Sequence, residues 1–246
     1  VFHIFGRFAL RRNTAQGKGR RPPVDHACPA EGRIGHAALA LRQAAVLLLT
    51  ELADPAYPGR EDAFTLNETL TRAGWAWADR VAAAYVVEQL QGPAAQTGRQ
   101  FLTERSFTPA DAAHFGVGYA PKGWDHLTNL LRQKGFNEAE LVASGLVSQG
   151  NRGVYDRFRG RLMWPIRDVT GEPIGFGARK LYDDDQGPKY LNAPETALYK
   201  KSQVLYGIDL AKREIAKTKR IVVVEGYTDV MAAHLSGITT AVATCG

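Results

Sequence analysis

The sequence predicts an α/β protein: an α+β amino-terminal part followed by the start of a parallel sheet. Three observations carry this. Ile221-Val222-Val223-Val224 is a run of four β-branched residues, the pattern of a strand buried on both faces of a parallel sheet. It stops at Glu225-Gly226, and an apolar helical stretch (230–235) and a second β-rich run (239–244) follow, so the unit reads strand–helix–strand. Upstream, 161–168 and 174–179 flank a Thr170-Gly171 turn and read as an antiparallel hairpin, its glycines suited to a sheet that something approaches closely.

Taken in order, residues 7–36 show no periodicity. Gly17, Gly19, Pro22, Pro23 and Pro29 are scattered among arginines, the composition of a disordered or linker segment. The stretch 38–49 reads as a helix ending near Asp54-Pro55, with a second break at Pro58-Gly59. A longer helix is expected over 66–90, with Trp75, Trp77, Val81, Tyr85 and Leu90 as its apolar positions and Gly92-Pro93 as its stop. Its tryptophans serve either as helix core or as a platform for stacking bases. Thr108-Pro109 starts a short helix, with the threonine as N-cap and proline in the first turn. An extended link, 115–121, follows. Two more helices are expected, one from Trp124-Asp125 to Lys134-Gly135 and one from Asn137-Glu138 to Gly145. In the hairpin's first arm, Arg157, Arg159, Arg161 and Arg167 stand at odd numbers, so alternation would point several of them to one face. Asp183-Asp184-Asp185 is either a metal cluster or a solvated turn. A last helix spans about 209–217. After the β-branched run, Thr228 and Asp229 supply helix-start chemistry, with Gly237 as the stop.

Composition narrows the function classes. The 246 residues, 45% of them hydrophobic, suffice for one or two domains with a core. Residues 1–33 carry seven Lys/Arg against Asp25 and Glu31, so the arm holds +5 of the total +6. A nucleic-acid face elsewhere must therefore come from clustering of cations, not from excess. Cys28 and Cys245 are the only cysteines, which excludes a disulfide framework and a Cys-rich zinc site and agrees with a reducing cytosol. The most apolar run, 37–53, contains Arg42, Gln43 and Glu51 and is too short and too polar to span a bilayer. No charged-then-apolar leader pattern opens the sequence. The expectation is a cytoplasmic protein with no membrane contact.

Several motifs then fall in series: Asp156-Arg157-Phe158-Arg159-Gly160-Arg161, Pro165-Ile166-Arg167-Asp168, Gly175-Phe176-Gly177-Ala178-Arg179, the run 188–196 and Leu205-Tyr206-Gly207. They lead into Val224-Glu225-Gly226-Tyr227-Thr228-Asp229-Val230, which resembles the first motif of the Toprim domain in its primase form. Together they resemble the bacterial replicative DNA primases over residues 80–246. The resemblance implies synthesis of short RNA primers on a single-stranded DNA template from ribonucleoside triphosphates, with Mg²⁺ or Mn²⁺. It also implies a division into an unassigned basic segment (1–75), an amino-terminal core subdomain (76–215) and the start of a Toprim domain (216–246). Because Mg²⁺ favours a carboxylate or two plus substrate oxygens, Glu225 is the expected catalytic and metal-binding acid, and Asp229 its supporting ligand. The family's nucleic-acid and nucleotide surface falls on Arg105, Arg157, Lys189, Tyr190 and Lys201, and next on Arg159, Arg161, Arg179 and Lys200.

The departures shape the expectation too. The family's second acidic motif, an Asp-x-Asp, lies past Gly246, so weak or absent activity is expected of this chain. The family's zinc ribbon would end near residues 2–7, where Ile4 and Arg7 replace cysteines, so its zinc ligands are absent. Residues 7 to about 75 match nothing in the family, and either divergence or a frame-shifted reading accounts for that. The helicase-interaction domain of the full-length family protein is not represented, so the replicative helicase is a partner of that longer protein. The competing readings are a non-catalytic single-stranded DNA-binding module and a Toprim nuclease or topoisomerase.

Overall fold

The computed structural model describes residues 60–245, with side chains from residue 71 onward. The readings for the arginine-rich arm, the 38–49 helix, the breaks at Pro55, Pro58 and Gly59 and the ribbon-like 2–7 stretch lie outside the described residues. No helix among the described residues is long and apolar enough to cross a membrane.

Helix α1, Arg60–Gln91, is the backbone against which the first sheet packs. The apolar positions expected from the sequence are mostly half-buried, Leu90 excepted. The deepest stripe is instead Ala78, Ala82, Val86 and Leu90, at four-residue spacing. The reason is close approach. Strand β1 (Gly118–Ala120) passes directly under Val86, whose side chain would lie 2.4 Å from a Cβ at Gly118. Trp77 packs on Phe136 at 5.0 Å between ring centroids, so it belongs to the interior.

One buried residue of this helix, outside that stripe, is out of character. Asp79 is 1% exposed, and its Oδ1 has no hydrogen-bond partner. Burial raises its pKa well above the ordinary value of 3.8. Folding therefore takes up a proton between the ordinary and the raised value, and stability falls as pH rises through that window. Asp79→Asn is expected to raise the urea midpoint at pH 7 and to change it little below about pH 3, where both states are protonated. An equal gain at both pH values would show that ionisation is not the cost.

Short helices fall where capping chemistry places them. Helix α2 is Gln96–Thr103. In α3, Pro109–Phe115, Thr108 and Asp111 form a reciprocal capping box, and left-handed Gly116 ends it. Helix α4 is His126–Gln133; α5, Glu138–Ser144, has the same box from Asn137 and Glu140 and ends at left-handed Gly145. The expected link at 115–121 is in fact the edge of a sheet. β1 pairs antiparallel with β4 (Arg161–Arg167), β4 with β5 (Pro173–Lys180) and β5 with β6 (Tyr190–Asn192), in the order β1-β4-β5-β6. The hairpin turn is closed by Asp168, whose Oδ1 accepts from the backbone of Thr170, Gly171 and Glu172. A small hairpin of β2 (Val147–Gly150) and β3 (Gly153–Asp156), not anticipated, precedes β4.

The second sheet has the order β7-β9-β8, from β7 (Leu205–Tyr206), β8 (Val222–Val224) and β9 (Ala241–Thr244). Helix α6 (Ile208–Thr218) precedes β8, and α7 (Tyr227–Leu235) joins β8 to β9, which run parallel as the strand–helix–strand reading required. The burial expected for β8 is overturned. Ile221, Val222 and Val223 are 48, 38 and 59% exposed, whereas Ala241, Val242 and Ala243 of β9 are fully buried. Among the described residues β8 is an edge strand paired on one side only, and the central position belongs to β9.

Aromatic side chains join the two sheets. Tyr227 stacks on Trp164 of β4 at 5.8 Å and meets the Tyr206 ring edge-on at 4.7 Å. Its hydroxyl donates to Asn192 Oδ1 at 2.7 Å. The Trp164 indole points to Met231 Sδ, 3.2 Å away. Gly177 makes room for this ring, because a Cβ there would lie 2.2 Å from the Tyr227 hydroxyl.

Candidate nucleic-acid interface

The end of β3 organises one exposed site. Buried Asp156 accepts hydrogen bonds from Leu127 N, Thr128 N and Thr128 Oγ1, at 2.8, 2.8 and 2.6 Å, anchoring the start of α4. Its own N–H donates to the Trp124 carbonyl at 2.7 Å, fixing the backbone of the loop just before that helix. Trp124 is thereby held edge-on against Tyr155, at 5.6 Å and 73°, with 64% of its surface exposed. The chain then turns at 157–160, with Gly160 at φ +67° and its N–H bonded to the Ala120 carbonyl. Arg157 and Arg159 thus lie in a turn and not in the hairpin arm, but their side chains still converge. The Arg159 guanidinium sits 3.8 Å above the Trp124 ring and donates to the Asp156 carbonyl. Arg157 donates to Ser148 Oγ, and its buried Nε has no partner.

These groups line a cavity of about 580 Å³ together with Lys122, Arg161, Tyr182, Asp184, Asp185 and the 186–188 loop. Arg161 differs from the other cations. Its side chain is 4% exposed, paired with Asp185 at 2.7 Å and bonded to the Pro188 carbonyl. It holds the 181–188 segment in place while lining the cavity floor beside Asp185. Arg167 is also separate: it sits at the other end of β4, bonded to the Phe115 carbonyl. The acidic run resolves as a turn. Asp184 pairs with Lys122 and Asp185 with Arg161, and no group of three or more His, Cys, Asp or Glu able to hold a metal exists among the described residues.

A second group surrounds Phe101. The guanidiniums of Arg105 and Arg179 lie 3.6 and 4.0 Å from its ring centroid. Arg179 faces Tyr190 across the β5–β6 pair, and Lys189 stands beside the Tyr190 ring at 5.7 Å. Burial lowers the Arg105 pKa and the Arg179 charge lowers it further, while Tyr190 and Glu104 oppose the shift. Two arginines on one ring, with an exposed tyrosine and lysine alongside, present positive charge and a stacking face together.

Glu225 is exposed at the carboxyl end of β8, beside exposed Asp229, whose Oδ2 accepts from Gly226 N at 3.1 Å and so caps α7. Asn192 of β6 reaches this end: it bonds the Cys245 carbonyl just past β9 and receives the Tyr227 hydroxyl. Lys201 is exposed on the segment leading into β7, whose Leu205 pairs with Thr244 at the carboxyl end of β9, so it lies toward the same end; Lys200 precedes it and is exposed. The structure thus arranges the predicted residues as an arginine–tryptophan cavity, a cluster on Phe101, and an acid–lysine end. Lys122, Trp124 and Tyr155 were missed as site residues. The one signal for them was Tyr155, which falls in the same odd-numbered alternation as Arg157 and Arg159.

A family model described as the DNA primase catalytic core, N-terminal domain, matches residues 85–212. The DNA primase of Streptomyces coelicolor is 68% identical over 170 residues, which are 69% of this chain and 26% of that protein. The chain spans about a quarter of the length of this curated relative. Among solved structures, the RNA polymerase domain of the Mycobacterium tuberculosis primase DnaG is similar at a TM-score of 0.70 with 58% identity, covering 71% of this chain and 57% of that one. A DnaG primase catalytic domain bound to single-stranded DNA is similar at a TM-score of 0.64 with 40% identity, covering 72 and 55%.

Proposed function

Because the chain belongs to the DNA primase catalytic-core family, we propose that it is part of a DNA primase, with the Trp124 cavity gripping a single-stranded DNA template. The observation that carries this is an exposed indole under a guanidinium, ringed by Arg157 and Lys122. Single strands bind where a base can stack and its phosphates meet cations, without reading of base edges. The related catalytic domain bound to single-stranded DNA supports the assignment.

In the reaction, a primer 3′-hydroxyl attacks the α-phosphorus of a ribonucleoside triphosphate and pyrophosphate leaves. In this reading Arg105, Arg179, Lys189 and Tyr190 hold the nucleotide, with Lys200 and Lys201 toward the acid end. Glu225, with Asp229 next to it, fits a hydrated Mg²⁺ or Mn²⁺, since such an ion needs only one or two carboxylates beside substrate oxygens. A bound divalent ion would neutralise the developing charge on the triphosphate. The division near residue 216, a cytoplasmic location and helicase contact in a longer protein belong to the same proposal.

Binding of a short fluorescent single-stranded oligonucleotide, followed by anisotropy, tests it. Trp124→Ala is expected to weaken binding about tenfold, the loss of one stacked base. Glu225→Gln is expected to leave binding unchanged, and to abolish primer synthesis in a protein that extends through the following acidic motif. Unaltered binding by Trp124→Ala would remove the template site. Primer synthesis surviving Glu225→Gln would remove the acid's role.

A further inference from the structure

We propose that Asp184 stands in for a backbone phosphate at Lys122, so that a single strand entering the cavity displaces the carboxylate and takes over its cation. This rests on the template reading above and specifies how that site is regulated.

The two adjacent ion pairs at the rim differ in kind. Arg161 and Asp185 are 4 and 22% exposed, and Asp185 also fixes its own loop: its Oδ1 accepts from Gly187 N, and its carbonyl accepts from Lys180 Nζ. Separating that pair would strand a buried guanidinium. Lys122 and Asp184 meet at 2.8 Å with side chains 51 and 71% exposed, so water replaces either partner at small cost. The segment is therefore latched by one carboxylate and only touched by the next.

Lys122 is placed to outlast the exchange. Its ammonium lies 4.0 Å from the Tyr182 ring, and the Tyr182 hydroxyl is 3.2 Å from that of Tyr119, so the cation keeps a support at the rim when the carboxylate leaves. Lys122, Trp124, Arg157 and Arg159 line one cavity, so a strand stacked on Trp124 brings its phosphates to that rim. The Lys122 hydrogen bond also lowers the Asp184 pKa, as expected where the charged carboxylate is the partner. Asp184 then acts as a threshold: a ligand must supply a phosphate at Lys122 to bind at full strength.

Binding of the same short single-stranded oligonucleotide to this chain, across a salt series, tests the exchange in a double-mutant cycle. Asp184→Asn is expected to bind about two- to fivefold more tightly at low salt, roughly the strength of an exposed ion pair. The gain should shrink toward none near 1 M salt, where the screening length is about 3 Å. In a Lys122→Gln background the same substitution should give no gain, because no cation is freed. A gain that persists without Lys122 would mean plain repulsion of phosphate and would overturn the exchange. No gain from Asp184→Asn, with the wild type binding and Trp124→Ala impaired, would sink the exchange while sparing the template site. Absence of wild-type binding would sink both.

Discussion

Asp185→Ala is expected to lower the stability of the chain by about 3 kcal/mol, the cost of stranding a buried guanidinium. Arg161 is 3% exposed overall, and among the described residues its only carboxylate partner is Asp185. Its remaining bond, to the Pro188 carbonyl, cannot neutralise it. Arg161→Met in the same background should recover much of the loss, because a paired charge and an apolar side chain of similar volume are close in free energy. Urea unfolding reads both. The midpoint should shift with the slope unchanged, since the surface exposed on unfolding is the same. An unfolding free energy for Asp185→Ala within about 0.3 kcal/mol of wild type would show that the pair is not what holds the segment.

Gly177→Ala is expected to cost about 2–3 kcal/mol, by overpacking at the joint between the sheets. The added carbon would lie 2.2 Å from the Tyr227 hydroxyl oxygen, 2.3 Å from Cζ and 2.4 Å from Cε2. The ring has nowhere to withdraw, lying on Trp164, against Tyr206, and tied to Asn192. Tyr227→Ala alone should also destabilise, by leaving a cavity beside Trp164. Combined, the two changes should cost clearly less than their sum, by about 1 kcal/mol or more, because the second removes what the first collides with. Strict additivity would show that Gly177 and Tyr227 do not meet. Tyr227 follows Glu225 by two residues, so the same joint sets where the acid stands relative to β6, which carries Tyr190.

Much of this architecture was legible in the sequence. Thr108 with Asp111 and Asn137 with Glu140 mark helix starts by bonds made within three residues, and both helices begin there. The Asp168 turn announces its hairpin in the same way. The two small strands β2 and β3 escaped notice, since neither Val147–Gly150 nor Gly153–Asp156 has an apolar alternation to reveal it. The β-branched run at 221–224 was correctly read as a strand and incorrectly as an interior one. Branching reports fitness for a pleated surface, and strand order, which sets burial, is absent from a run of four residues.

The site divides along the same line. Local chemistry along the chain settles which residues carry charge, where glycine permits a turn and where an acid follows a strand. Only folding determines which of those charges remain free. Arg157, Arg159 and Arg161 look alike in sequence, yet one is bonded to Ser148, one lies on Trp124, and one is buried against Asp185. Those partners come from other strands and loops, up to 35 residues away in the case of Trp124, so contacts distant along the chain decide whether an arginine holds the protein together or faces a ligand.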